Sequence, residues 1–180
     1  MRFMGLDMYL VAKRFVWTDD EELAAAIKLA VPCPVSDKPT RIEYEVMYWR
    51  KANQIHNWFV QNVQEGNDDC GTYYVSIEQL TELRDLCQKI LDTATLVPGK
   101  VKNGLRWSKD GGWEQLYEDG QLITNHEDIE ALLPTTSGCF FGSTEYDSYY
   151  LDNIKNTKEV LDKVLSVDTE VWEFEYHSSW

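Results

Sequence analysis

A chain of 180 residues with 43% hydrophobic and 13% aromatic content can build one domain around a real core, which excludes an intrinsically disordered polymer. Its formal charge of −14 repels polyanions, so general DNA or RNA binding and docking on anionic lipid are disfavoured. No apolar run approaches the roughly eighteen residues of a membrane span, and MRFMGLDMYL has no signal-peptide pattern. The expectation is a soluble cytoplasmic protein.

The charge is uneven. Residues 1–60 hold eight Lys+Arg against eight Asp+Glu, and residues 61–180 hold nine against twenty-three, so cations are comparatively available only in the first third. Cys33, Cys70, Cys87 and Cys139 form no CxxC pair and no zinc-type spacing with His56, His126 or His177. Free thiols are expected, with no metal and no cofactor.

Residues 3–16 alternate Met4, Leu6, Met8 and Leu10 with Gly5, Asp7, Tyr9 and Val11, the period of a strand. Thr18 and Glu21 have capping-box spacing, which opens a short peripheral helix through DDEELAAAIKLA. Three prolines in VPCPVSDKP then force a loop. A second strand is expected over 41–47, where Ile42, Tyr44 and Val46 alternate with Glu43 and Glu45.

It feeds into the most unusual stretch of the chain, residues 44–64. At 100° per residue, Tyr48, Ala52, Ile55, His56, Phe59, Val60 and Val63 share one side of a helix, with Arg50, Asn53, Asn57, Gln61 and Gln64 opposite. From Ala52 to Gln64 only His56 can carry a full charge. A solvent-facing stripe normally carries Lys and Glu, whereas amides offer donors and acceptors to whatever lies across from them. Two readings stay open: a polar contact with neighbouring structure, and one wall of a ligand site. A tight strand-to-helix turn also puts Arg50 and Lys51 in the first helical turn, the wrong sign for the macrodipole. A bound anion would favour them there, and so would Glu43 or Glu45.

EGNDDCG reads as a loop and TYYVS as a short strand. Ser76 and Gln79 form another capping box, opening a helix with Leu80, Leu83, Cys87, Ile90 and Ala94 on one stripe. The turn dipeptides NG, DG and GG within 97–124 predict an inserted β-hairpin, either a flap over a site or a solvent-exposed decoration. HEDIEALL is a brief helix, SGCFFGS a buried strand, and Thr144 with Asp147 the start of a helix whose stripe is Tyr146, Tyr150, Ile154, Thr157, Leu161 and Val164. EVWEFEYHSSW is a closing strand with Trp172, Phe174 and Tyr176 on its dry face. Alternating strands, unlike continuous Val/Ile runs, argue for a single α+β domain. Its mixed, mainly antiparallel sheet should carry helices on one face and place the two terminal strands side by side in the centre.

No catalytic constellation stands out. Asp68 and Asp69 flank Cys70 and would raise its thiol pKa, against a nucleophile paired with His56. Carboxylate pairs from Asp68, Asp69, Glu145 and Asp147 arise freely among thirty-one acidic residues. His56 on an apolar stripe reads as a core histidine. A binding site is better supported. GCFFGST would present backbone N–H groups and hydroxyls at a helix N-terminus, while the amphipathic stretch offers an arginine, amides and aromatic rings suited to a nucleotide-like ligand. The candidate residues are Trp49, Arg50, Asn53, Asn57, Trp58, Ser143, Thr144, Tyr146 and Tyr149. Helix capping by Ser143 or Thr144 and core packing by the tyrosines are the plainer alternatives.

MGLDMYL, YWRKANQIHNWF, DDCGTYYVS, LLPTTSGCFFGSTEYDSYY and the closing YHSSW together resemble an uncharacterised family of small phage and bacterial proteins. The resemblance implies phage origin and action on host machinery or defence within the host cytoplasm. The expected function is capture, without catalysis, of a small anionic, nucleotide-derived ligand such as a host defence signal. A small enzyme degrading such a metabolite and an acidic protein blocking a host protein are the alternatives. A homo-oligomer is the further partner left open.

Overall fold

The computed structural model describes residues 5–138, 141–167 and 169–180. Strands β1 (Asp7–Phe15), β2 (Arg41–Arg50), β3 (Thr72–Val75) and β6 (Glu173–Ser179) form one sheet in the order β2-β1-β6-β3. Every pairing is antiparallel, and the two terminal strands lie in the centre, with Leu10 opposite Tyr176 and Ala12 opposite Phe174. Alternation decides which face is dry: Leu6, Met8, Leu10, Ala12, Phe174 and Tyr176 are buried, whereas Asp7, Tyr9, Lys13, Glu175 and His177 are only half-buried.

Onto that face pack helices α2 (Asn53–Asn62), α3 (Ile77–Thr93), α4 (His126–Leu132) and α5 (Ser148–Leu165), whose buried residues join the strands in one core. Of the expected stripes, Leu80, Leu83, Cys87 and Ile90 on α3 and Tyr150, Ile154, Thr157, Leu161 and Val164 on α5 are buried, while Ala94 at the end of α3 and Tyr146 ahead of α5 are half-buried. Ser76 and Gln79 close a full capping box on α3. Helix α1 (Glu21–Ala30) has no buried residue and is peripheral. Strands β4 (Leu96–Ser108) and β5 (Gly112–Ile123) form a separate two-stranded hairpin. The result is a single α+β domain, and no helix among the described residues is long and apolar enough to cross a membrane.

Several elements differ from the sequence expectation. Strand β2 runs three residues past Met47, with Tyr48, Trp49 and Arg50 opposite Tyr9, Met8 and Asp7. A bulge that leaves Val46 unpaired turns Met47 inward, and Trp49 is buried at 3% exposure, so core packing outweighs helical periodicity. Arg50 and Lys51 therefore precede α2, whose first turn is uncharged, and the macrodipole conflict does not arise. The Thr18–Glu21 box does not form: Asp20 caps α1 by position, and its carboxylate accepts instead from the Trp17 N–H. Helix α5 starts at Ser148, not Thr144, because the Asp147 carboxylate accepts from the Tyr149 and Tyr150 N–H groups. The described part of SGCFFGS is loop, not strand, and Met4, Cys139 and Phe140 lie outside the described residues.

Helix α2 is buried over most of its length. Ile55 and Phe59 are fully buried, and Phe59 stacks on Tyr176 at 3.9 Å. His56, 1% exposed, has both ring nitrogens engaged, one 2.7 Å from the Tyr176 hydroxyl and the other 3.0 Å from Asp68. Burial lowers its pKa and Asp68 opposes the shift.

Candidate functional site

The turn from β2 into α2 is made by Lys51, a non-glycine residue in the left-handed region at φ 59°. It packs against Gly142, itself at φ 95°, where a Cβ would sit 2.9 Å from Lys51 Cβ and 3.1 Å from the Lys51 carbonyl oxygen. This backbone contact joins the first third of the chain to the loop before α5. Asn53, 1% exposed, holds the same loop from below. Its Nδ2 donates to the carbonyls of Phe141 at 3.1 Å and Ser143 at 2.8 Å, and its Oδ1 accepts from Thr136 N–H at 2.9 Å. The three partners fix which way the amide points.

Between these two junctions and the start of α5 lies a cleft of about 270 Å³. One wall consists of Arg50, Lys51 and Gln54, and the other of Gly142, Ser143, Glu145 and Asp147 with Tyr149, Tyr150, Asp152 and Asn153 from α5. Much of the acidic wall is already occupied. The Glu145 carboxylate takes an ion pair from Lys102 of the hairpin, which raises the lysine pKa. Asp147 is 2% exposed and caps α5; burial raises its pKa against the pull of the two N–H donors. Tyr149 donates to Glu118, and Tyr150 to the Leu133 carbonyl.

The groups left for a ligand are mainly cationic and amide. Arg50 lies only 3.9 Å from Asp7, whose carboxylate also accepts from the Tyr48 hydroxyl. Lys51 makes no ion pair among the described residues. Gln54 is 2% exposed, and its Nε2 has no hydrogen-bond partner. A buried amide nitrogen without an acceptor costs about 1–3 kcal/mol, which an acceptor oxygen supplied to it would offset. Across from this pole stand the exposed Asp152 carboxylate and the Asn153 amide, with the Tyr149 ring, 40% exposed, beside them.

Of the nine residues singled out from sequence, Arg50, Ser143 and Tyr149 line this cleft. Trp49 donates from its indole to Thr157 at 2.7 Å inside the core, and Trp58, also buried, packs edge-on against Phe59. Asn53 holds the loop, and Asn57 is half-buried on α2. Thr144 is exposed, and its carbonyl accepts from Thr135. Tyr146 packs on Tyr150, and its hydroxyl accepts from Thr135 N–H. Helix-terminal N–H groups play no ligand role at Ser143–Thr144, since α5 begins later and Asp147 occupies its first donors. In the sequence, Lys51 reads with Arg50 as a cation that a bound anion would favour, though it is not counted among the nine, and Gln54, Asp152 and Asn153 are not singled out. Gln54 belongs to the same amide-rich stretch, so its composition was a usable signal.

A larger apolar groove of about 460 Å³ lies between β2 and the end of α5, lined by Tyr44, Val46, Val160, Val164 and Trp172 among others. Lys163 is its only charged lining residue among the described residues, and the rest of that lining is apolar apart from the Tyr44 hydroxyl and the Trp172 indole, which suits it poorly to orient a polar ligand. Among the described residues no group of three His, Cys, Asp or Glu is placed to hold a metal ion. Comparison with protein-family models, curated proteins and solved structures returns no match.

Proposed function

We propose that the chain binds a small anionic ligand of nucleotide type in the cleft between β2–α2 and α5, and holds it without turning it over. The observation that carries this reading is the meeting of Arg50, Lys51 and the unpartnered Gln54 amide on one cleft edged by Tyr149. Two cations and an amide N–H suit a phosphate or carboxylate. An exposed phenol ring gives a base a face to lie on, and the Asp152 carboxylate can accept from sugar hydroxyls. The volume sits just under the roughly 300–1,000 Å³ of pockets for drug-sized molecules, which favours one mononucleotide-sized ligand or less. Binding is preferred over turnover because the two carboxylates that follow Ser143 into the cleft are already engaged, Glu145 with Lys102 and Asp147 as the cap of α5, which leaves neither free to activate that hydroxyl. The phage-type resemblance of the sequence supports a host-cell signal as ligand and sequestration as the outcome.

Calorimetric titration with nucleoside monophosphates, cyclic nucleotides and inorganic phosphate tests the reading. Charge-assisted hydrogen bonds are worth about 1.5–3 kcal/mol, so Arg50→Ala and Lys51→Ala should each weaken binding on the order of 10–100-fold. Affinity unchanged in both variants would falsify the site. Release of chemically altered ligand on heat denaturation would sink the non-catalytic part alone.

A further inference from the structure

Among the described residues the β4–β5 hairpin is anchored at its base. There Val101 is buried, Glu118 and Lys102 reach Tyr149 and Glu145, and Leu122 bridges to Asp147. From Lys102 to Tyr117 no residue is buried. Two-stranded hairpins standing in water are marginally stable at best, and this one is long. Its register explains what it lacks. Trp107 faces Trp113, Leu105 faces Gln115, and a bulge at Gly104 restores Lys102 opposite Tyr117. Cross-strand partners share a face, as do residues two apart, so Leu105, Trp107, Trp113 and Tyr117 form one apolar stripe. They are 60%, 60%, 68% and 57% exposed, and the two indoles already meet edge to face at 5.5 Å.

We infer that this arm is a dimerisation surface and that its partner is a second copy of the chain, packed stripe to stripe about a two-fold axis. Charge selects the partner. Residues 96–123 carry Lys100, Lys102, Arg106 and Lys109 against Asp110, Glu114, Glu118 and Asp119, a net charge of zero inside a chain of net charge −14. Two copies can meet on the arm without the repulsion they would feel on the strongly acidic remainder. Area agrees. The four side chains expose on the order of 500 Å², so an isologous contact covers about 1,000 Å² from them alone, and flanking strand atoms bring it to the roughly 1,200 Å² of a small stable interface.

Light scattering behind size exclusion on the full chain, from about 1 to 100 μM, reads the mass in the range where such an interface dissociates. The wild type should run at twice the 21.0 kDa chain mass. The double variant W107S/W113S should run at 21.0 kDa, with circular dichroism that still shows a folded chain and a cooperative urea transition that no longer depends on protein concentration, because the tip is exposed and the core is untouched. Tyr44→Ser, in the apolar groove far along the chain, should stay dimeric. A wild type at 21.0 kDa throughout overturns the inference, whether or not the arm then captures another protein. So does a double variant that remains dimeric, or a dimer broken by Tyr44→Ser. None of these outcomes depends on ligand binding in the cleft.

Discussion

Replacing Asn53 separates a structural clamp from a ligand contact. The side chain is 1% exposed and makes three hydrogen bonds, two as donor to the Phe141 and Ser143 carbonyls and one as acceptor from Thr136. At about 0.5–1.5 kcal/mol each, with a further cost for leaving inward-facing backbone groups unpaired, Asn53→Ala should lose about 3 kcal/mol, within a range of 2–5. Asn53→Asp is the sharper test, since the two side chains are nearly isosteric. A carboxylate keeps one oxygen as acceptor for Thr136 but sets its other oxygen, also an acceptor, against the two carbonyls in a buried place, so it should cost more than alanine. Urea unfolding at constant m-value measures both. An aspartate variant as stable as the alanine one, or an alanine variant within about 1 kcal/mol of wild type, would refute the clamp. Because the loop it holds carries Gly142 and Ser143, both variants should also weaken binding in the cleft.

Gly142→Ala should cost about 2–3 kcal/mol, combining a positive φ with a methyl pressed onto the Lys51 backbone. Gly66→Ala is the control: its φ is 81° with nothing within 4 Å, so it should cost only about 1 kcal/mol, and equal losses in the two variants would remove the packing part. The buried His56 predicts a pH dependence of stability. Its folded pKa lies below the ordinary 6.5, so beneath that value the unfolded chain binds more protons than the folded one. The contribution is fully present above pH 6.5 and is lost as pH falls from there through the depressed folded value, with a slope of at most about 1.36 kcal/mol per pH unit. His56→Gln should flatten the urea midpoint between about pH 6.5 and 5.5, and an unchanged slope would show that the imidazole is not the group titrating.

Local pattern in the chain was enough to determine the fold class, the central pairing of the terminal strands, the buried stripes of α3 and α5, the Ser76 box and the long hairpin. The stripes, the capping box and the hairpin depend on neighbours within a turn or a strand, where period and capping chemistry act directly, and the pairing of the terminal strands followed from the alternation that gives each of them one dry face. Tertiary structure decided the rest. Trp49 became strand because the core facing Met8 needed it, and Asp147 rather than Thr144 became the cap because its carboxylate reaches two helical N–H groups. The amide face divided for the same kind of reason: Asn53 and Gln64 are buried, Asn57 is half-buried and Gln61 is exposed. The cleft is assembled from segments about ninety residues apart, joined where Lys51 meets Gly142. A contact between two left-handed residues so far apart leaves no periodicity in either segment, so only the packed chain could reveal which side chains meet there.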